Sequence, residues 1–265
     1  KTLLKSQNQI SILGCGWLGM PLAKQLSSEG YSVIGSTTQV EKLKIIKQQG
    51  AQCVLLNLKN FNAIPSQFFE SDIWIITIPP FGEPNEFYTY NNLLAQKIID
   101  KSPQQIIVTS SISVYPDLGR KVVERDAAYD QLTRTGISLL RYEDQLWSDH
   151  TTVLRLGGLI GPNRHPIKHF TGKTGLPGGK NPINLIHLDD CIKSITSVIS
   201  NKIVGQRLNL CSPYHPEKST YYREVARRNH LALPVFDQKM TAHKIVSSDQ
   251  FIDLLGYSFV NKFLL

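Results

Sequence analysis

The chain has 265 residues, of which 41% are hydrophobic and 19% are charged. This length and composition are typical of a globular protein with one large core, or with one core and a smaller lobe. No apolar run approaches the length of a membrane span and no signal peptide is visible, so we expect a cytoplasmic protein without a membrane partner. Four scattered cysteines without Cys-x-x-Cys spacing predict reduced thiols rather than a disulfide framework or a metal site.

The formal net charge of +8 comes from lysines and arginines that are spread along the chain. Solvated surface charge explains such a distribution, and an anionic ligand such as a phosphorylated cofactor or a nucleotide-sugar fits it equally well. The chain shows neither a basic tail nor a nucleic-acid-binding motif, so we expect no nucleic-acid partner.

The first predicted strand, residues 9–13, runs into three glycines with G-x-G-x-x-G spacing. In a dinucleotide site Gly14 allows the tight turn, Gly16 lets the backbone approach the pyrophosphate, and Gly19 brings the following helix close to the strand. The helix N-terminus presents free N–H groups to the phosphates. A second strand at 31–35 follows at the distance that this fingerprint requires. We assign the whole loop to cofactor binding: Gly14, Cys15, Gly16, Trp17, Leu18 and Gly19.

Strand and helix patterns then alternate to the end of the chain, which predicts an α/β fold with a doubly wound parallel sheet of the Rossmann type. The predicted strands are 9–13, 31–35, 51–56, 72–78, 105–109, 151–156 and 207–211. The helices after the first are 40–49, 86–100, 131–148, 188–200 and 217–230. Residues 116–130 and 157–182 are predicted loops. We place an NAD(P)-binding domain at 1–160 and a smaller substrate lobe at 161–265, with segments near 184–211 returning to the first domain.

The end of the second strand bears on which dinucleotide binds. An NAD site usually has Asp or Glu there, whereas this chain has Ser36, Thr37 and Thr38, with no carboxylate before Glu41. Small hydroxyls leave room for a 2′-phosphate and can donate hydrogen bonds to it, which favours NADP over NAD. Lys42 and Lys44 would add positive charge, or would simply solvate their helix.

Further motifs follow in an order that resembles the extended short-chain dehydrogenase/reductase superfamily, and within it the YeeZ-like branch. They are the glycine loop, Thr109–Tyr115, Leu154–Pro162, Asn184–Asp190, Asn209–Pro213, Lys244–Ser248 and Leu254–Tyr257. The resemblance implies an NAD(P)-dependent oxidoreductase or a nucleotide-sugar epimerase/dehydratase-like enzyme with a small-molecule substrate.

The resemblance also implies roles for individual residues. Ser111 matches the Ser or Thr that holds the substrate hydroxyl or carbonyl. The remaining expected cofactor contacts are Thr77, Pro79, Pro80, Ser110, Gly158 and Leu159. Arg164 and His187 are candidate substrate contacts, although Arg164 would also fit a solvated loop and His187 a structural role. Asp189 and Asp190 would contact the substrate or cap the next helix.

Relatives in this superfamily dimerise through helices that correspond to residues 86–100 and 131–148. The apolar side chains of Ile137, Leu140 and Trp147 would permit such a homodimer.

One departure from the superfamily concerns its Tyr-x-x-x-Lys, which supplies the proton donor. Aligning Glu143 with the acid that follows this motif puts Thr135 at the Tyr position and Leu139 at the Lys position. Threonine does not replace a phenol as an acid near neutral pH, and leucine carries no charge. Tyr115 is the nearest substitute as a catalytic group, with packing or substrate contact as the alternative. The missing pair leaves two main hypotheses: an enzyme with an altered proton donor, or a non-catalytic NADP(H)-binding sensor or regulatory protein. A third hypothesis, a fold that binds no nucleotide and serves only as an interaction surface, has to treat the intact glycine loop as coincidence.

Overall fold

The computed structural model describes residues 8–79 and 84–261. Its strands, in chain order, are β1 (Gln9–Leu13), β2 (Ser32–Thr37), β3 (Gln52–Leu55), β4 (Ile73–Ile76), β5 (Gln105–Ser111), β6 (Lys121–Val122), β7 (Thr151–Leu156), β8 (Gly158–Ile160), β9 (Leu185–His187), β10 (Gln206–Leu210) and β11 (Ile245–Val246). Its α-helices are α1 (Gly19–Ser28), α2 (Val40–Gln48), α3 (Pro84–Lys101), α4 (Arg134–Gln145), α5 (Leu188–Ser200), α6 (Lys218–Arg228) and α7 (Asp249–Leu255).

Seven strands form one sheet in the order β10-β7-β5-β4-β1-β2-β3. The neighbours from β5 to β3 pair in parallel. The order reverses direction at β1, because β2 and β3 continue to one side of it and β4 and β5 to the other. This is the strand order of a doubly wound Rossmann sheet, in which ligands bind at the carboxyl ends of the strands beside the reversal. The predicted fold class is confirmed.

The contacts between residues divide the chain into two compact units. The first unit comprises residues 1–110, 137–154 and 192–207, and the second comprises 111–136, 155–191 and 208–265. The predicted domain boundary near residue 160 stays a prediction.

The core of the first unit is built on the apolar strand β4, whose four residues are all buried. A strand that is apolar throughout is typical of the centre of a parallel sheet with both faces covered. Phe68, Phe69 and Trp74 pack against one another in this core, with ring centroids 5.3–5.5 Å apart. In the second unit, a smaller apolar cluster includes Tyr221, Tyr222 and Phe236.

Several predicted boundaries need correction. Strand β2 continues through Ser36 and Thr37, and β5 continues to Ser111. The predicted loops 116–130 and 157–182 contain the short strands β6 and β8, which pair with β11 and β9. Strands of two or three residues are too short to show a hydrophobic period, so the sequence gives no signal for them.

Candidate functional site

The glycine loop after β1 has the backbone conformation that its spacing predicts. Gly14 has φ +105°, a region that L side chains rarely adopt. A Cβ on Gly19 would lie 2.2 Å from the Gly14 carbonyl oxygen, so only glycine allows α1 to approach the strand this closely. A Cβ on Gly16 would meet no atom within 4 Å, and Gly16 is exposed. At Gly16 the loop therefore presents backbone without a side chain, next to space that a ligand can occupy.

Helix α1 begins at Gly19, and its N-terminus carries no competing negative charge. Leu18 is the N-cap residue and makes no side-chain capping bond, and the first turn contains no acidic residue. The backbone N–H groups of a first helical turn have no partner within the helix, and they carry a partial positive charge. The end of this helix is thus suited to an anion.

A cavity of about 330 Å³ opens at the carboxyl ends of β1, β2 and β4. It brings together eight of the predicted cofactor residues: Gly14, Cys15, Gly16, Ser36, Thr37, Thr38, Thr77 and Pro79. Thr77 follows the neighbouring strand β4 and fixes the loop, because its hydroxyl donates to the Gly14 carbonyl oxygen at 2.6 Å. Pro80 was predicted beside Pro79 and lies outside the described residues.

The hydroxyls at the end of β2 make protein contacts. Ser36 is buried, and its Oγ accepts a hydrogen bond from the Gly14 N–H at 3.0 Å. Thr37 is also buried, and its Oγ1 accepts from the Gln39 N–H at 3.2 Å. Only Thr38 is exposed. Their oxygens therefore hold the glycine loop and the start of α2 in place, and the cofactor contact expected of Ser36 and Thr37 stays a prediction.

The cavity has a positive lining. Lys42 and Lys59 line it, and none of its described lining residues is acidic. Lys59 forms an ion pair with Glu86 at 2.7 Å. Within the ranges 8–79 and 84–261, no ion-pair partner is found for Lys42. Lys42 is thus a cavity-lining cation available to a ligand.

At the end of β5, Ser110 is held by a buried carboxylate. Its hydroxyl donates to Glu143 Oε1 at 2.6 Å, and both residues are buried. The second Glu143 oxygen lies 3.8 Å from Nε of Arg207. This contact ties β5 to α4 and makes Ser110 a structural link, while its predicted cofactor contact stays a prediction.

Ser111, the predicted catalytic serine, belongs to the second unit and is half-buried. Its Oγ accepts a hydrogen bond from the Ser113 N–H at 3.2 Å and lies 3.1 Å from the Ser113 hydroxyl. The side chain thus caps a short helical turn, Ile112–Val114, while its own proton can still be donated.

Tyr115 is buried in a polar cluster of the second unit. Its side chain is 2% exposed, and its hydroxyl donates to Asn209 Oδ1 at 2.6 Å and accepts from Arg155 at 2.8 Å. The Arg155 guanidinium also lies 5.3 Å from the centre of the Tyr115 ring. These contacts favour the packing alternative for Tyr115, because both hydrogen bonds of its hydroxyl go to protein groups, and its catalytic role stays a prediction.

Other predicted residues of the second unit make local contacts. Arg164 is exposed and closes a turn with Gly161 through two backbone hydrogen bonds of 2.9 and 3.0 Å. His187 Nδ1 accepts from the Asp189 N–H at 3.2 Å. Gly158 and Leu159 lie in β8 and pair with β9.

Asp190 has a different role from the predicted helix cap. It is buried and accepts backbone N–H groups of Val260 and Asn261 at 2.7 and 3.0 Å. Its carboxylate therefore anchors the segment after α7.

The positions aligned with the missing Tyr and Lys lie on α4. Thr135 is exposed and Leu139 is buried. Leu140, predicted as a dimer contact, is buried within its own chain. The Arg207 guanidinium lies over the Trp147 ring, 4.0 Å from the ring centre. Both side chains contribute to folding of this chain, and the homodimer stays a prediction.

No protein-family model matches the chain. A full-length relative does match: protein YeeZ of Escherichia coli K12 is 33% identical over 264 residues, with 95% of each chain covered. The chain belongs to the YeeZ family. This confirms the predicted branch of the superfamily.

Solved structures with low identity share the fold of this YeeZ-family chain. WbmH of Bordetella bronchiseptica, solved in complex with NAD⁺, superposes with a TM-score of 0.79 at 14% identity, and 97% of this chain and 94% of WbmH are covered. UDP-glucuronic acid 4-epimerase of Bacillus cereus, solved in complex with NAD, gives a TM-score of 0.76 at 17% identity over 95% and 92% of the chains.

None of the helices within the described residues is long and apolar enough to cross a membrane.

Sequence reasoning missed seven residues that line the cavity: Leu13, Gln39, Leu56, Asn57, Leu58, Lys59 and Ile78. Four of them, Leu56 to Lys59, follow β3, which ends beside β2 in the sheet. Since the carboxyl ends of neighbouring parallel strands meet at one edge, the residues after β3 were detectable from the predicted Rossmann-type sheet.

Proposed function

We propose that the cavity at the glycine loop binds a nicotinamide dinucleotide. The observation that carries this proposal is the combination of bare backbone at Gly16 with an uncapped N-terminus of α1. The residues fit the group: the pyrophosphate would lie against Gly16 and the start of α1, and the adenosine end toward Thr38 and Lys42. When bound, the dinucleotide supplies hydride transfer.

We further propose that the phosphorylated form, NADP(H), is preferred. The described lining contains no carboxylate that would bind a ribose diol or repel a 2′-phosphate, and Lys42 has no ion-pair partner among the described residues. The two solved structures named above were determined with NAD, so this preference would distinguish the present chain from them.

The preference predicts the effect of Lys42→Gln. The substitution should weaken NADPH about tenfold and leave NADH unchanged, because only NADPH carries the charge that Lys42 would meet. Isothermal titration calorimetry of wild type and Lys42→Gln measures the Kd of NADPH and of NADH. Lys44→Gln is the matched control, since Lys44 is an exposed residue of the same helix and does not line the cavity. Equal effects of the two variants on NADPH would refute the role of Lys42.

For the reaction, we propose an oxidoreductase or epimerase/dehydratase-like activity on a small carbonyl or alcohol, with a nucleotide-sugar as the first class to screen. Ser111 would hold the substrate oxygen, because it ends β5 and its hydroxyl keeps a proton that it can donate to a substrate or to the Ser113 hydroxyl. A UDP-sugar epimerase among the structures with this fold supports the choice of screen.

A non-catalytic NADP(H)-binding protein is the second candidate, and specific observations favour it. Tyr115 is enclosed by Asn209 and Arg155, and Leu139 is buried at the position aligned with the superfamily's lysine. A protein that lacks an accessible tyrosine as proton donor and lacks the lysine of the superfamily would bind the cofactor without catalysis and would report its redox state.

Ser111→Ala separates the two candidates. For the enzyme we expect turnover of a substrate found in the screen to fall about 100-fold, with the Kd of NADPH within about twofold of wild type. Steady-state kinetics and titration of the same preparation measure both. Ser113→Ala is the control, since it removes a neighbouring hydroxyl. Unchanged turnover in Ser111→Ala would exclude Ser111 from the chemistry.

A further inference from the structure

Two cysteines of the first unit, Cys15 in the glycine loop and Cys53 on β3, lie close to Gly35 of β2. A Cβ on Gly35 would lie 2.5 Å from the Cys15 Sγ, so this thiol occupies the space that a side chain at Gly35 would fill. Gly35 is the register partner of Cys53 across the parallel pair β2–β3. Paired residues direct their side chains to the same face of a sheet, and neighbouring strands are about 4.8 Å apart. The Cys15 thiol therefore faces Cys53 across about one strand spacing.

The two thiols differ in access. Cys15 is 2% exposed and burial raises the pKa of its thiol to about 12. Cys53 is half-buried on β3, the edge strand of the sheet, and burial raises the pKa of its thiol against the opposing effect of Lys47. Cys53 is consequently the thiol that a dissolved oxidant meets first.

We propose that Cys15 and Cys53 form a reversible disulfide, and that its closure weakens dinucleotide binding at the glycine loop. The second half of this proposal rests on the proposed function. A disulfide brings the sulfur atoms to about 2.05 Å, so the bond would draw Cys15 toward β3. Cys15 stands between Gly14 and Gly16, and its N–H already donates to the Ser36 carbonyl at 2.7 Å. Pulling Cys15 would move the backbone at Gly16 away from the pyrophosphate.

The oxidant class is a small disulfide such as oxidised glutathione. The Cys53 thiolate attacks one glutathione sulfur, the glutathione S–S bond breaks, and one glutathione leaves as a thiolate that takes up a proton. Cys15, once deprotonated, attacks the Cys53 sulfur and releases the second glutathione. The protein loses two hydrogen atoms with their electrons, and one glutathione disulfide becomes two thiols.

The chemical half is tested by incubating the folded full chain with oxidised glutathione and measuring intact mass and linked peptides. Wild type should lose two hydrogen atoms and yield a Cys15–Cys53 linked peptide. Cys15→Ala should retain glutathione on Cys53, Cys53→Ser should form neither product, and the control Cys191→Ala should behave as wild type. A wild-type protein that keeps glutathione on Cys53, with the Cys15 thiol still free to react with an alkylating reagent, would overturn the proposal. This outcome is measured on the wild-type protein alone, so it does not depend on whether any variant folds.

The binding half is tested by titrating NADPH into the reduced and oxidised wild-type protein. Oxidation should weaken NADPH about tenfold in wild type and leave Cys53→Ser unaffected. Because coupling is reciprocal, saturating NADPH should then raise the midpoint potential of the pair by about 30 mV. Equal affinities of the two wild-type forms would overturn the coupling. If the reduced protein binds no dinucleotide, the proposed function fails, and the mass measurement still decides whether the disulfide forms.

Discussion

His165 shows how a single half-buried side chain makes stability depend on pH. Its Nδ1 accepts the Ile167 N–H at 3.0 Å, so the proton of the neutral ring is on Nε2, which lies 2.9 Å from the Tyr221 hydroxyl. Burial lowers the pKa of His165 below its ordinary 6.5. The unfolded chain therefore binds a proton at a higher pH than the folded chain, and stability rises with pH in that interval.

We expect the free energy of unfolding to fall as the pH drops from about 6.5 toward the lower folded-state pKa. His165→Asn should reduce this slope, because Asn keeps an oxygen for the Ile167 N–H and does not titrate. Burial lowers the pKa of His215 as well, so a smaller slope of the same sign remains. Urea denaturation of wild type and His165→Asn at several pH values measures how the free energy of unfolding depends on pH. An identical slope in the variant would contradict the assignment to His165.

The turn from β1 into α1 is the element on which the site depends. Gly19→Ala should destabilise the protein by about 1–3 kcal/mol or more, because the new Cβ would lie 2.2 Å from the Gly14 carbonyl oxygen and α1 would have to move. Urea denaturation measures the loss. Gly16→Ala is the control in the same turn, since its Cβ meets no atom within 4 Å. Equal stability of both variants would contradict the close packing at Gly19.

The sequence predicted this turn well because its signal is local. A strand, three spaced glycines and a helix are adjacent in the chain, and Gly14 and Gly19 each meet a steric requirement within the turn. The roles of Ser36 and Tyr115 were not predictable in this way. Ser36 acts on Gly14, 22 residues away, and Tyr115 acts on Asn209, 94 residues away. Such contacts depend on which strand ends meet, and short strands such as β6 and β8 leave no pattern to reveal it.

At the scale of the molecule, the Rossmann strand order indicates where a ligand is expected. The cavity collects residues from the ends of three strands of one sheet, β1, β2 and β4, together with the loop after β3. Ser111 and the predicted substrate contacts Arg164 and His187 belong to the second unit, and their roles stay predictions. The proposed activity therefore depends first on whether the cavity holds a dinucleotide.

The most direct measurement is calorimetric titration of wild type and Gly16→Ala with NADPH, NADP⁺, NADH and NAD⁺. We predict binding by wild type, tightest for the phosphorylated pair, and binding at least about tenfold weaker in Gly16→Ala at unchanged stability, because the added methyl occupies the space that the pyrophosphate needs. Absence of binding by wild type, or equal binding by both proteins, would contradict the assignment of this cavity to a nicotinamide dinucleotide.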